Sequence, residues 1–397
     1  MKLNKSTTLL LKDTLRCMVF SAVILFSMFG LTRLVNFGAF DLYRLAFKEF
    51  SFLDTYYAQK MAPDTKQVNP QLVLINVQHL GREELAILIE KVQQQAPKVI
   101  GVDVIFKDDR EALSDERLWK ALQPENVVTA YAIQNREFIK NDPKLGVFRH
   151  KLGYANFNFD TYNAVIRNFQ AKKVFDGFEF HSFGLRVAQR YLGRKTKLEW
   201  KGMLAKSTPI NYSGGREHYF SFNAEEILQR DSVPVLKDKI VLLGYLGTPI
   251  GNPYDIEDRH FTPLNQEFVG KSAPDTFGIV IHANIIEMLI NKKKLKEAPI
   301  GVLLLVGFVL TFLAIAYFIR LNKKRIERYM LVRKLTQLGV TIFFIWVALL
   351  LLSANIYFKI TELIWYAVLS IECIWAYKVL SNYMKNKFGW ESYFFQD

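Results

Sequence analysis

Two long stretches without a charge, and a third broken by only two, lie close together late in the chain. Ile300 to Ile319 runs for twenty residues and Leu335 to Phe358 for twenty-four. Leu363 to Tyr377 continues to Leu380, with Glu372 and Lys378 inside it. A helix needs about 20 apolar residues to cross a hydrocarbon core of about 30 Å. The runs therefore predict membrane spans over 300–319, 335–358 and 363–380. Trp365, Tyr366, Trp375 and Tyr377 suit interfacial anchoring of the last. An earlier run begins at Cys17 and predicts a first span over 17–36, with Arg33 reaching back to the interface. No small-residue cleavage site follows Gly30, where the chain reads Leu31-Thr32-Arg33-Leu34, so this run reads as an uncleaved anchor.

Loop charges orient these spans. Residues 320–334 carry Arg320, Lys323, Lys324, Arg325, Arg328, Arg333 and Lys334 against Glu327. The next turn holds only Lys359 and Glu362. Short cytoplasmic loops are rich in Lys and Arg, which assigns 320–334 to the cytoplasm. The N-terminal segment 1–16 and the tail 381–397 follow to the same side, and residues 40–299 lie outside it. Lys292, Lys293, Lys294 and Lys296 run against this orientation. They sit at a predicted helix C-terminus, where cations offset the macrodipole. The expected location is the bacterial cytoplasmic membrane, multi-pass, with both termini inside.

The same division explains the net charge of +14. The cytoplasmic segments hold most of it, whereas residues 40–299 carry 36 basic and 32 acidic residues. A nucleic-acid partner thereby loses its main support. Two cysteines, both in predicted spans, build neither a disulfide framework nor a four-thiolate zinc site.

The region 40–299 alternates strand and helix signals. Leu42 to Met61 has helical spacing. Gln71 to Val77 is a buried strand, Gly81 to Gln95 an amphipathic helix, and Lys98 to Phe106 a second apolar strand. Strand, helix and apolar strand in that order read as a right-handed parallel unit. Arg110 to Leu122 is a helix and Asn126 to Ile133 a strand. Tyr154–Phe159 and Ala164–Phe169 alternate around Asp160–Asn163 as a hairpin. Ser182 caps a helix closed by Gly193. Pro209–Tyr212 is a short strand, Asn223–Leu228 a short helix, Lys239–Gly244 a strand and Ile279–Ile290 the last helix. The fold class is an α/β domain with a mixed, largely parallel sheet, plus four transmembrane helices, one N-terminal and three C-terminal.

These residues resemble the second CHASE family, extracellular sensing domains associated with cyclases and histidine kinases. Phe52-Leu-Asp-Thr-Tyr56 looks like its leading helix, and Gly101–Phe106 places Asp103 in its Asp-x-x-Phe position. Asp160 with Val165-Ile-Arg167 is similar to its Asp…Val-x-Arg pair. Ile210-Asn-Tyr212 with Gly214 is similar to its Ile-Asn-Tyr-x-Gly. Lys239–Gly244, Thr262-Pro263 and Ile281-His-Ala-Asn284 resemble its closing strand, loop and helix. The chain departs where Asn76-Val-Gln78 replaces the usual acidic residues, although Arg82 stands where the family has an arginine. About twenty residues follow the last span, so the resemblance implies a sensor without a fused output enzyme.

Candidate ligand-binding residues are Asn76, Arg82, Asp103, Asp258, His260 and His282. Asn76 and Asp103 end two parallel strands expected to be neighbours, and open α/β sheets bind ligands at such ends. Asp255, Asp258, His260 and His282 form the one acid/base or metal-like set, but their spacing matches no metalloprotease motif. The competing reading makes all of these hydrogen-bonded braces. Gly270-Lys-Ser272 has Asn265 where a phosphate loop requires glycine, so no nucleotide site is expected. No cofactor, resident metal or catalytic constellation is expected, and hence no enzyme.

The expected function is a membrane-anchored sensor or binding protein that relays a signal to a separate partner. A structural subunit of an envelope assembly is the alternative, and an anchored hydrolase the weakest. Candidate contacts for a partner or for membrane lipids are Arg320, Lys323, Lys324, Arg325 and Arg328, with Trp390, Tyr393 and Phe394 of the aromatic tail. A second copy of the chain is a further candidate partner.

Overall fold

The computed structural model describes residues 4–34, 52–60, 68–106, 111–134, 137–139, 149–157, 165–175, 177–193, 206–265, 273–323, 329–358 and 361–395. Two compact units result: Leu53–Leu295, and the flanking segments Met1–Phe52 with Lys296–Asp397. Helix α1 (Lys5–Leu34) belongs to the flanking unit. Helix α2 (Phe52–Lys60) leads into the other.

The Leu53–Leu295 unit is a sheet with helices on both faces. In chain order it holds β1 (Asn69–Asn76), α3 (Arg82–Gln94), β2 (Val99–Val102), α4 (Ala112–Leu122), β3 (Val127–Gln134), β4 (Glu137–Ile139) and β5 (Leu152–Tyr154). Then come β6 (Asn168–Gln170), β7 (Lys172–Phe175), β8 (Phe178–His181), α5 (Phe183–Leu192), β9 (Ser207–Pro209), β10 (Tyr219–Asn223) and α6 (Ala224–Gln229). Strand β11 (Ile240–Gly244), the short β12 (Arg259–His260) and β13 (Thr276–Phe277), and α7 (Gly278–Ile290) complete it. The main sheet runs β10-β1-β11-β2-β3-β4, with β5 also on β3. Every pair is parallel except β3 with β4.

Burial follows from composition. Strands β2 and β11 and residues 72–75 of β1 are wholly buried apolar runs, as parallel strands covered on both faces must be. Leu85, Leu88, Ile89 and Val92 repeat at helical spacing and set α3 on one face, beside α4 and α6. Helices α5 and α7 cover the other face. Gly101 lets α5 approach, because a Cβ there would meet Leu242 at 2.7 Å and Phe183 at 3.0 Å. All residues of α7 are buried, so it is a core helix and not a surface one.

Three sequence expectations change. Strands β1 and β2 are not neighbours: β11 lies between them and pairs with both. Periodicity finds strands but says nothing of their lateral order. The expected hairpin is not formed by the described residues. β5 joins the main sheet in parallel, β6 pairs antiparallel with β9, and Val165 bridges Phe261. Asp160 lies outside the described residues, as do residues 42–51 of the expected leading helix. The strand predicted to reach Phe106 ends at Val102, where the chain turns towards the crevice described below.

The flanking unit contains α1, β14 (Lys296–Glu297), α8 (Ile300–Lys323), α9 (Tyr329–Ser353), β15 (Ile356–Tyr357), α10 (Thr361–Glu372) and α11 (Ile374–Phe388). Among the described residues two helices, not four, are long and apolar enough to cross a membrane: α8 and α9. The expected span 363–380 is instead two helices divided at Cys373, where Glu372 accepts from Arg333 (2.9 Å), Lys334 and Gln337. The expected span 17–36 is part of a helix that starts at Lys5 and takes in Lys12, Asp13 and Arg16.

The tail folds back on this unit. The Asp13 carboxylate is fully buried and accepts from Tyr377 Oη (2.9 Å), Ser392 Oγ (2.8 Å) and the Tyr393 amide (2.7 Å). Arg16 stacks on Trp390 at 4.3 Å, Lys323 on Tyr393 at 4.8 Å, and Phe394 is buried. Trp390, Tyr393 and Phe394, expected as partner contacts, thus pack on the chain's own helices. Arg320 and Lys323 close α8, while Lys324, Arg325 and Arg328 lie outside the described residues.

Candidate ligand crevice

The C-terminal ends of parallel strands carry exposed backbone groups and the loops that follow, which is where open α/β sheets make room for ligands. Here β1, β11, β2 and β5 end around a crevice of about 480 Å³. Gln78 follows β1, Tyr245 follows β11, Asp103 follows β2 and Phe157 follows β5. Asp258 and His260 arrive on the loop before α7, and His282 projects from the first turns of α7. Asp103, Asp258, His260 and His282 therefore meet as the sequence suggested, although 179 residues separate the first from the last.

Backbone pairing fixes Asp103. Its amide donates to the Leu243 carbonyl at 2.8 Å, which extends the β2–β11 ladder by one residue. Its carboxylate lies 3.8 Å from His282 Nε2, too long for a good hydrogen bond and close enough for strong electrostatics. Burial, with the Asp258 carboxylate nearby, pushes the Asp103 carboxyl up to about 8. Burial also pushes His282 down, to about 3, with His260 adding to the effect and the Ala155 backbone opposing it. Both groups are thus neutral near pH 7: a carboxylic acid facing a neutral imidazole.

The rings around His282 are aromatic. Phe157 lies 4.6 Å from it and Phe183 5.1 Å, and Phe157 also meets the edge of His260 at 5.2 Å. His260 Nε2 is 3.4 Å from Asp258. Asp258 adopts a left-handed backbone (φ 52°), which aspartate tolerates better than most residues. Its carbonyl accepts from the Gly278 amide at 3.0 Å. A Cβ on residue 278 would stand 2.8 Å from the Asp258 carboxylate, so a larger residue at the start of α7 would displace that carboxylate.

Two sequence candidates are braces. Asn76 Nδ2 donates to Gly247 O (2.7 Å) and Asn223 Oδ1 (3.1 Å), and its Oδ1 accepts from the Leu246 and Gln78 amides. With every site used, Asn76 ties the β1, β10 and β11 loops together. Arg82 is bound to Asp115 at 2.6 Å and lies beside Phe106, and it is not among the residues lining the crevice. Asp255 braces its own loop through Tyr245, the Thr248 amide and the Glu257 amide. Among the described residues no three His, Cys, Asp or Glu side chains converge to hold a metal. Sequence reasoning missed Gln78, Tyr245, Phe157 and Glu257, which have no spacing signal and converge only through sheet topology.

It also missed a second polar cluster, built from the family-motif residues. Arg167 makes a buried ion pair with Asp54, Nη2 to Oδ2 at 2.7 Å and Nε to Oδ1 at 2.9 Å. Tyr57 Oη donates to Asn211 Oδ1 at 2.8 Å, and Asn211 Nδ2 donates to the Lys293 carbonyl at 2.9 Å. Asn284, fully buried in α7, accepts from the Ser213 amide (2.7 Å) and donates to Gly214 O (2.9 Å). These residues hold α2, residues 210–214 and both ends of the last turns of α7 in one brace.

Neither a curated protein nor a solved structure matches the chain. The family profile of the CHASE2 domain matches residues 19–318, most of its length. The chain belongs to the CHASE2 domain family, whose members are extracellular sensory domains.

Proposed function

We propose that the chain is a membrane-anchored extracytoplasmic sensor: the crevice receives the stimulus, and the membrane helices relay the change to a separate partner protein. One observation carries this reading. Helix α7 has Gly278 and His282 at the crevice and Lys293 just beyond its other end, where Asn211 joins it to Tyr57 of α2. Thirteen residues at about 1.5 Å each make α7 about 20 Å long. A ligand that binds two positions of α7 unequally would shift both the segment entering the domain and the segment leaving it for α8. Crossings by α8 and α9, with 320–334 in the cytoplasm, would agree with the loop charges and bring Arg320 and Lys323 to where a partner or anionic lipid would meet them. Contact through Trp390, Tyr393 or Phe394 would require the tail to leave Asp13.

Thiol labelling tests the relay. Lys323→Cys in the full chain is expected to label at a rate altered several-fold by Ala132→Phe, which fills the crevice, and Asn211→Ala is expected to cancel that effect. A fixed assembly subunit is the second reading, favoured by how fully Asn76 and Asn284 are hydrogen-bonded. It requires the same labelling rate in every variant.

A further inference from the structure

The crevice is lined by the acidic side chains Asp103, Glu257 and Asp258, without a Lys or Arg among its described residues. This stands out in a domain with more basic than acidic residues. Val77, Leu80, Val104, Ile105 and Phe157 add apolar wall, interrupted by the polar Gln78, Asn156 and Tyr245. At the floor, His282 is 3% exposed, and its Nδ1 has no partner at hydrogen-bonding distance among the described residues. Its Nε2 faces Asp103, so an Nε2–H turned to that carboxyl leaves Nδ1 as a lone-pair acceptor. Buried acceptors in folded proteins are normally satisfied, so this atom asks for a donor from the crevice. Its volume suits a small molecule rather than a peptide. A bare metal ion lacks the converging ligands it would need.

We propose that the crevice binds a small organic cation, an ammonium group on an apolar or aromatic body. Asp258 supplies the counter-charge. His282 Nδ1 accepts one ammonium N–H, and Phe157 with the apolar wall covers the body. Cations are favoured over such rings by the quadrupole of the π face. This inference rests on the sensor reading and adds the ligand's chemical class to it.

Calorimetric titration of the full chain in detergent tests the class with three probes of one shape: 2-phenylethylammonium, 2-phenylethanol and phenylacetate. The amine is expected to bind saturably, and the alcohol and the acid at least about tenfold more weakly. Asp258→Asn changes a side chain that is 41% exposed, so the fold tolerates it. It is expected to weaken the amine at least about tenfold and leave the alcohol unchanged. Equal or tighter binding of the acid or the alcohol overturns the proposal. So does an amine affinity indifferent to Asp258→Asn, or no saturable binding of the amine. In each of those cases the sensor reading still stands or falls separately, on whether Ala132→Phe alters labelling at residue 323.

Discussion

Replacing Asp103 with asparagine should make the protein more stable at neutral pH and no more stable in acid. Burial beside Asp258 raises the Asp103 carboxyl from 3.8 to about 8. At pH 7 the folded chain therefore holds a proton that the unfolded chain has released. The sign follows from linkage: with a raised folded value, the contribution to stability is full below pH 3.8, falls as pH rises towards about 8 and then levels off. Each unit is worth about 1.36 kcal/mol, and roughly three units lie between the ordinary value and pH 7. That sets an upper limit of about 4 kcal/mol. Water reaches the side chain, which is 11% exposed, so a gain of about 2–4 kcal/mol is expected. Asparagine keeps the shape and the hydrogen-bonding groups but never ionises. His282, depressed by burial, adds its own pH dependence to both proteins and cancels in the comparison. The assay is pulse proteolysis of the full chain in detergent across a urea series, near pH 4 and near pH 7. A higher midpoint for Asp103→Asn at pH 7 alone supports the reasoning. An equal shift at both values, or a lower midpoint at pH 7, refutes it.

Two further substitutions probe the braces. Asp54→Ala removes the carboxylate that takes Arg167 in a buried pair and should cost about 3–5 kcal/mol, read as a lower urea midpoint. Adding Arg167→Met should recover part of that loss, and a double variant no better than Asp54→Ala would contradict the buried-charge explanation. Asp13→Ala deprives Tyr377, Ser392 and the Tyr393 amide of their shared acceptor, at about 1–3 kcal/mol. Trypsin should then cut after Lys385 and Lys387 several-fold faster, and an unchanged rate would show that the aromatic stacking alone holds the tail.

Elements with a strong local signal were legible in the sequence. The period of Leu85, Leu88, Ile89 and Val92 fixed α3, Ser182 and Gly193 bounded α5, and uninterrupted apolar runs located β1, β2 and β11. Local signals failed where partners are distant. Nothing in Val73 or Val99 says that Ile240–Gly244 will come between their strands. The convergence of Asp103 with His282 was legible because both stand at element ends. Asn76 and Arg82 stand at element ends too, and only the structure assigns their hydrogen-bonding capacity to Gly247, Asn223 and Asp115. In the flanking unit, hydropathy marked the apolar runs correctly but not the break at Cys373, which accompanies the contacts of Glu372 with Arg333 and Lys334.

The position of β11 has a consequence for how the chain is made. Strand β1 is synthesised early, yet both of its neighbours, β10 and β11, come from residues 219–244. β2 and β3 can pair as soon as they emerge, but β1 must wait for about 140 more residues with both edges open. Pairings between such distant segments form slowly, and unpaired apolar edges invite wrong partners. A nascent chain halted before Tyr219 therefore exposes Leu72–Ile75 with nothing to pair it, and it lacks the strand that holds Asp103 in place. Crevice and sheet are completed in one step, late in synthesis, so partly made chains should be aggregation-prone rather than partly functional.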